Sequence, residues 1–228
     1  MKRLFLLLIL STQIHARVDE MPVRAQGEKL PRKTFEKIIN LFETTFSPLS
    51  RANNRELVFM TDYESDWIQA FARRWEEDQV IVYGGAAAVT NGSEDTFALI
   101  LCHETGHLFG GRPWGEDFNK LSVEGQADYW AASECFRKIL PGLSVRQASA
   151  SSMTLCKSES MCARSVDAFL ALTAQFADNR SLPHPKLETP DETVVSTLQF
   201  THPSPQCRLD TMMAGLRNLP RPLCWFLP

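Results

Sequence analysis

The stretch LILCHETGHLFGG, residues 99–111, constrains this chain more than any other. It carries two of the five histidines four residues apart, with a glutamate directly after the first. On a helix each residue turns about 100°, so His103 and His107 project within about 40° of each other, one turn apart. Two neutral imidazole nitrogens on one face can chelate a tetrahedral zinc ion. Glu104 is rotated off that face by one residue, too far round to ligate but within reach of a water activated at the metal. Phe97, Leu101 and Leu108 supply an apolar stripe that anchors the helix in a core. Asn91-Gly92-Ser93 offers a turn and an N-cap, Glu94 and Asp95 favour the positive helix end, and Gly110-Gly111 is a stop. A helix over about residues 94–108 is predicted.

A catalytic zinc usually takes three protein ligands and leaves one position for water. The longer HExxHxxGxxH pattern fails, because Pro113 stands where its third histidine falls. SVEGQADYWAASECFRKIL, residues 122–140, reads instead as a second long helix with Glu124 and, one turn on, Asp128. The Gly-Gly turn and a short loop bring it back against the first helix, and Ala127, Ala131 and Ala132 allow close approach. Glu124 is then the expected third ligand. Asp128 is placed to accept a hydrogen bond from a ligand imidazole, His103 being the expected partner, which fixes the ring's tautomer. Cys102 points away from the histidine pair and reads as an apolar residue or a disulfide partner. Cys135 lies about 16 Å along the helix from Glu124, out of ligand range.

Composition narrows the class. With 44% hydrophobic and 22% charged residues, the 228-residue chain is an ordinary globular one, large enough for a single core. A formal charge of −3 without a basic patch argues against nucleic acid as a partner. MKRLFLLLILSTQIHA, residues 1–16, has the basic, apolar and polar parts of a secretory signal peptide, and its apolar run is too short to span a bilayer. The expected organisation is a signal peptide, 1–16, and a single domain, 17–228, exported to a periplasmic or extracellular space and not inserted in a membrane. Whether residues 17–50 act as a pro-segment is left open by the sequence. In an oxidising compartment the six cysteines, none in a CxxC pair, are expected to form disulfides, with 15 possible pairings.

Along the chain, residues 33–46 space their apolar side chains as an amphipathic helix. Residues 56–61 read as a strand, 66–77 as a helix, and 79–85 as a strand stopped by glycines. Further helices are expected at 163–177 and 205–218, separated by a proline-rich surface excursion.

HETGH followed by EGQAD resembles the gluzincin metallopeptidases, in which the Glu of an ExxxD motif is the third zinc ligand. Upstream, IQAFARRWEEDQVIVYGG resembles the segment before HExxH in the group containing the HtpX-type and CAAX prenyl proteases, where such a run leads into an edge strand flanking the cleft. Downstream, THPSPQCR resembles that group's THPxxxxR element, with His202 and Arg208 six apart. The resemblance spans roughly residues 65–215 and is greater to small exported members than to membrane-embedded ones. Gln69 replaces a common Asn, Thr105 a usual apolar residue, and His184-Pro185 lacks a following arginine and reads as a loop. The resemblance implies an α+β, mostly helical, zincin-like core with a small edge-stranded sheet flanking the HExxH helix. One zinc per chain is expected on His103, His107 and Glu124, with Glu104 as general base and His202 and Arg208 stabilising the oxyanion. Residues 80–85 are expected to pair with an extended protein or peptide substrate. The competing expectation is an envelope protein, zinc-binding or disulfide-stapled, that binds peptides without cutting them.

Overall fold

Helical spacing and burial coincide in the first long element: Phe35, Ile38, Ile39, Phe42 and Phe46 are all buried. The computed structural model describes residues 23–25, 28–88, 93–115 and 119–228. The expected signal peptide and the Asn91-Gly92 turn lie outside them. A short strand β1 (Val23–Arg24) precedes helix α1 (Arg32–Arg51), then come β2 (Leu57–Asp62), β3 (Trp67–Ile68), β4 (Ala70–Arg74) and β5 (Asp78–Tyr83). Helix α2 (Glu94–Phe109) carries the HETGH motif. Helix α3 (Glu124–Trp130) runs through a π-helical stretch (Ala131–Cys135) into α4 (Phe136–Ile139), followed by α5 (Ala150–Leu155), α6 (Ser160–Asn179) and α7 (Pro205–Arg217). The fold is α+β, about half helical, with a small three-stranded mixed sheet.

The sheet order is β2-β5-β4, with β2 parallel and β4 antiparallel to β5, and β1 pairs separately with β3. Leu57, Phe59, Val80 and Val82 turn inward and share one core with the apolar faces of α1 and α2. Helix α1 is thus part of the core, and none of its residues lines the cleft described below. All six cysteines are paired. Cys102–Cys135 ties α2 to the π-helical stretch, Cys156–Cys162 ties α5 to α6, and Cys207–Cys224 ties α7 to the tail that follows it. No helix among the described residues is long and apolar enough to cross a membrane.

Residues 66–77 correct the sequence reading, being strands β3 and β4 rather than a helix. Trp67, Phe71 and Trp75 are spaced four apart, which mimics a helical stripe. Yet Phe71 is 36% and Trp75 65% exposed, so these rings do not form one buried face. Pairing with β5 satisfies one edge of the β4 backbone and packs Ala70 and Ala72 against the core, so tertiary context overrides local propensity. The strand expected at 79–85 is present as β5, but it is the middle strand with both edges occupied. It therefore has no edge to offer a substrate; β4 is the edge strand on the cleft side.

Asp78 fastens this sheet to α1. Its carboxylate is 1% exposed and accepts from Ser50 Oγ (2.7 Å), Arg55 Nε (2.9 Å) and Arg74 Nε (2.7 Å). Burial pushes its pKa up, but Arg74, Ser50 and Arg55 outweigh that and hold it below the ordinary 3.8. A lowered folded-state pKa contributes stability above the unfolded value and loses it as pH falls through the folded one. Asp78→Asn should therefore cost about 3–5 kcal/mol at neutral pH, with the gap closing in acid below the ordinary 3.8. Urea unfolding at neutral and at acid pH measures this, and an equal loss at both contradicts the assignment.

Candidate metal centre and cleft

Helix α2 begins at Ser93, whose side chain accepts from the Thr96 amide (3.4 Å), and buried Asp95 in its first turn binds Arg164 at 2.6 Å. At the other end the chain turns at Gly111, whose φ of +76° lies in the left-handed region that glycine tolerates without strain. Between these ends His103 and His107 project side by side, their Nε2 atoms 3.2 Å apart. The return helix α3 lies unusually close. A Cβ on Gly106 would sit 2.7 Å from the Ala127 carbonyl oxygen, so any larger residue there would push α3 and its carboxylates away.

This approach delivers Glu124. Its Oε2 lies 3.1 Å from His103 Nε2, 3.5 Å from His107 Nε2 and 3.1 Å from His202 Nε2. The far nitrogens of the first two rings are already committed. His103 Nδ1 faces Asp128 Oδ1 at 2.7 Å, and His107 Nδ1 faces the Ser122 carbonyl at 2.7 Å. In neutral rings both Nδ1 atoms carry the proton, which turns two Nε2 lone pairs toward the carboxylate. Acceptor then meets acceptor, and Glu124 Oε2 is buried without a hydrogen-bond partner. A positive charge at the common point, either a proton on an imidazole or a bound cation, would reconcile these contacts.

The charges express the same demand. Burial pulls the His103 ring down, but Asp128 and Glu124 raise it to about 10, so without a metal a proton takes the cation's place. His107 is likewise raised, burial being outweighed chiefly by Glu124. Burial pushes Glu124 up, and the imidazoles, His107 foremost, hold it well below the usual carboxylate range. Burial lifts Glu104 above its ordinary value against the pull of His103 and His107. His202 is lowered to about 3 by burial, Arg208 and His103, against the attraction of Glu124, and stays neutral.

The donors fit zinc. Bonds of about 2.0–2.1 Å in a tetrahedral site place neighbouring ligand atoms about 3.3–3.4 Å apart, and the nitrogen and oxygen donors here stand 3.1–3.5 Å apart. Glu104 turns into the same cleft without joining the cluster. The cleft has a volume of about 490 Å³. Ala70 to Ala72 of β4 form one wall, Gly115 and residues 121–123 another, and Phe200 with His202 a third.

Arg208 occupies a different place from the one the sequence reading expects. It is buried behind the site, donating from Nε to Asp128 Oδ2 and from a terminal nitrogen to Oδ1, both at 2.7 Å, and it does not line the cleft. Its guanidinium lies 3.9 Å from the Phe176 ring centroid, and that ring also packs on His202. His184 is an exposed partner of Asp178. Two contributors escape sequence reasoning. Ser122 acts through its carbonyl, which any residue possesses, and Phe176 through a ring face in a helix that reads as ordinary core.

Comparison with known proteins gives no match to a family model, to a curated protein or to a solved structure. The chemistry of this site therefore rests on its own geometry. Asp128 orients His103, so Asp128→Asn should weaken zinc binding by about 10–100-fold. Chelator competition on the folded variant measures this, and unchanged affinity contradicts the role given to Asp128.

Proposed function

We propose that this chain is an exported zinc metallopeptidase of the gluzincin kind that hydrolyses peptide bonds in envelope or extracellular proteins. The observation that supports it is the convergence of the His103, His107 and His202 nitrogens on the buried Glu124 oxygen, with Glu104 alongside. A purely structural metal has no use for that second glutamate. His103, His107 and Glu124 would hold the ion, with His202 at its open side. A zinc ion there supplies Lewis acidity, activating water as the nucleophile and polarising the scissile carbonyl.

Glu104 is 7% exposed and its pKa is raised by burial, which makes it a stronger base than a surface glutamate. It takes the proton from the attacking water and hands it to the departing amine nitrogen. Neutral His202 offers its ring to the developing oxyanion. Arg208 supports this indirectly, by holding Asp128 against His103. An extended substrate backbone adds to the edge strand β4, where the small Ala70 and Ala72 leave room for it beside the metal ligands. Three disulfides suit an oxidising compartment.

Glu104→Gln separates catalysis from metal binding. Zinc content should stay at the wild-type level while hydrolysis of an unfolded protein falls by about 10²–10⁴-fold. Equal turnover by both forms would remove Glu104 from the mechanism. Zinc binding with no turnover by either form would favour a peptide-binding role.

A further inference from the structure

The short tail after α7 reaches the site from behind through three chain segments. Trp225 is 0% exposed, in a small core with Val123, Cys207 and Cys224, against which Leu198, Phe200 and Phe226 pack. Its indole presses on the first turn of α3. A Cβ on Gly125 would fall 2.2 Å from Trp225 Cδ2 and 2.5 Å from Cε2. Gly125 follows Glu124 and Val123 precedes it, so the ring braces the backbone from which the carboxylate departs.

The same tail holds the arm carrying Phe200 and His202. The Val195 amide donates to the Leu223 carbonyl (3.0 Å), and the Gln199 amide to the Trp225 carbonyl (3.1 Å). Arg221 Nε donates to Gln126 Oε1 (2.6 Å), a further tie to α3. Cys224, beside Trp225, is bonded to Cys207, whose neighbour Arg208 grips Asp128. The tail thus fixes Glu124, steadies the His202 arm and is stapled next to the arginine behind His103. The indole Nε1–H is buried without a partner. That unmet donor is unfavourable, so what the position uses is the ring's shape rather than its polarity.

We propose that Trp225, locked in place by the Cys207–Cys224 disulfide, is a positioning residue for the metal site. It sets where Glu124 and His202 stand relative to the two histidines of α2, and the site closes only in the oxidised chain. The inference rests on the metallopeptidase reading for the identity of the ion, and on this chain's own contacts for everything else.

The test compares the full chain with Trp225→Ala, Trp225→Phe, the paired change Cys207→Ala/Cys224→Ala and, as control, Cys156→Ala/Cys162→Ala. Zinc affinity is read by chelator competition, the ligand field by the visible absorption of bound Co²⁺, and folding by thermal unfolding. Trp225→Ala and the Cys207/Cys224 pair should weaken zinc by about 10-fold or more and shift the Co²⁺ bands. Trp225→Phe, which keeps a ring against Gly125 and drops the unmet donor, should restore most of the affinity. The control pair should match wild type. Should Trp225→Ala not fold, the Cys207/Cys224 pair and Gly125→Ala decide by the same two readouts. Folded variants with wild-type affinity and spectrum overturn the positioning role. A wild-type chain that takes up no zinc overturns the reading of the site itself.

Discussion

Two imidazole nitrogens converge on one buried carboxylate oxygen, a contact that requires a positive charge at their common point, and the rest of the architecture is arranged around that demand. Glu104, Glu124 and Asp128 place three carboxylates in the same region against the single guanidinium of Arg208. With neutral histidines the balance is two negative charges, which a divalent cation offsets. Buried charge of this kind is tolerated only when paired, so the proposed cation would contribute to the stability of the site as well as to its chemistry.

The fold supplies the closeness that this requires. Gly106 lets α2 and α3 come nearly into backbone contact, Cys102–Cys135 ties α2 to the π-helical stretch that continues α3, and the capped start of α2 is pinned to α6 by Asp95 and Arg164. Each imidazole has its own anchor, Asp128 for His103 and the Ser122 carbonyl for His107. The rings are therefore oriented before any metal arrives, which reduces the cost of binding it. On the open side the edge strand β4, the residues around Leu121 and the Phe200–His202 arm enclose a cleft rather than a closed cage.

Those parts of the site whose logic is local were legible in the sequence. HETGH declares itself because helical spacing alone puts both histidines on one face, and Glu124 with Asp128 repeats the same one-turn offset. The α1, α2, α6 and α7 helices follow from apolar spacing and caps. The strands at 66–77 did not, because aromatic residues four apart imitate a helix when only pairing with β5 decides the matter. The destination of Arg208 was equally hidden: the resemblance of THPSPQCR to the THPxxxxR element implies that it and His202 belong near the site, not that one lines the cleft and the other lies behind it. Trp225 and the Ser122 carbonyl act through shape and backbone, for which residue type carries no mark.

Native mass spectrometry of the untagged chain, refolded with zinc and passed through a mild chelator, tests the central claim most directly. One zinc per wild-type chain and none on a folded Glu124→Ala variant is the expected result. A wild-type chain free of metal, or a Glu124→Ala chain that retains it undiminished, contradicts the account.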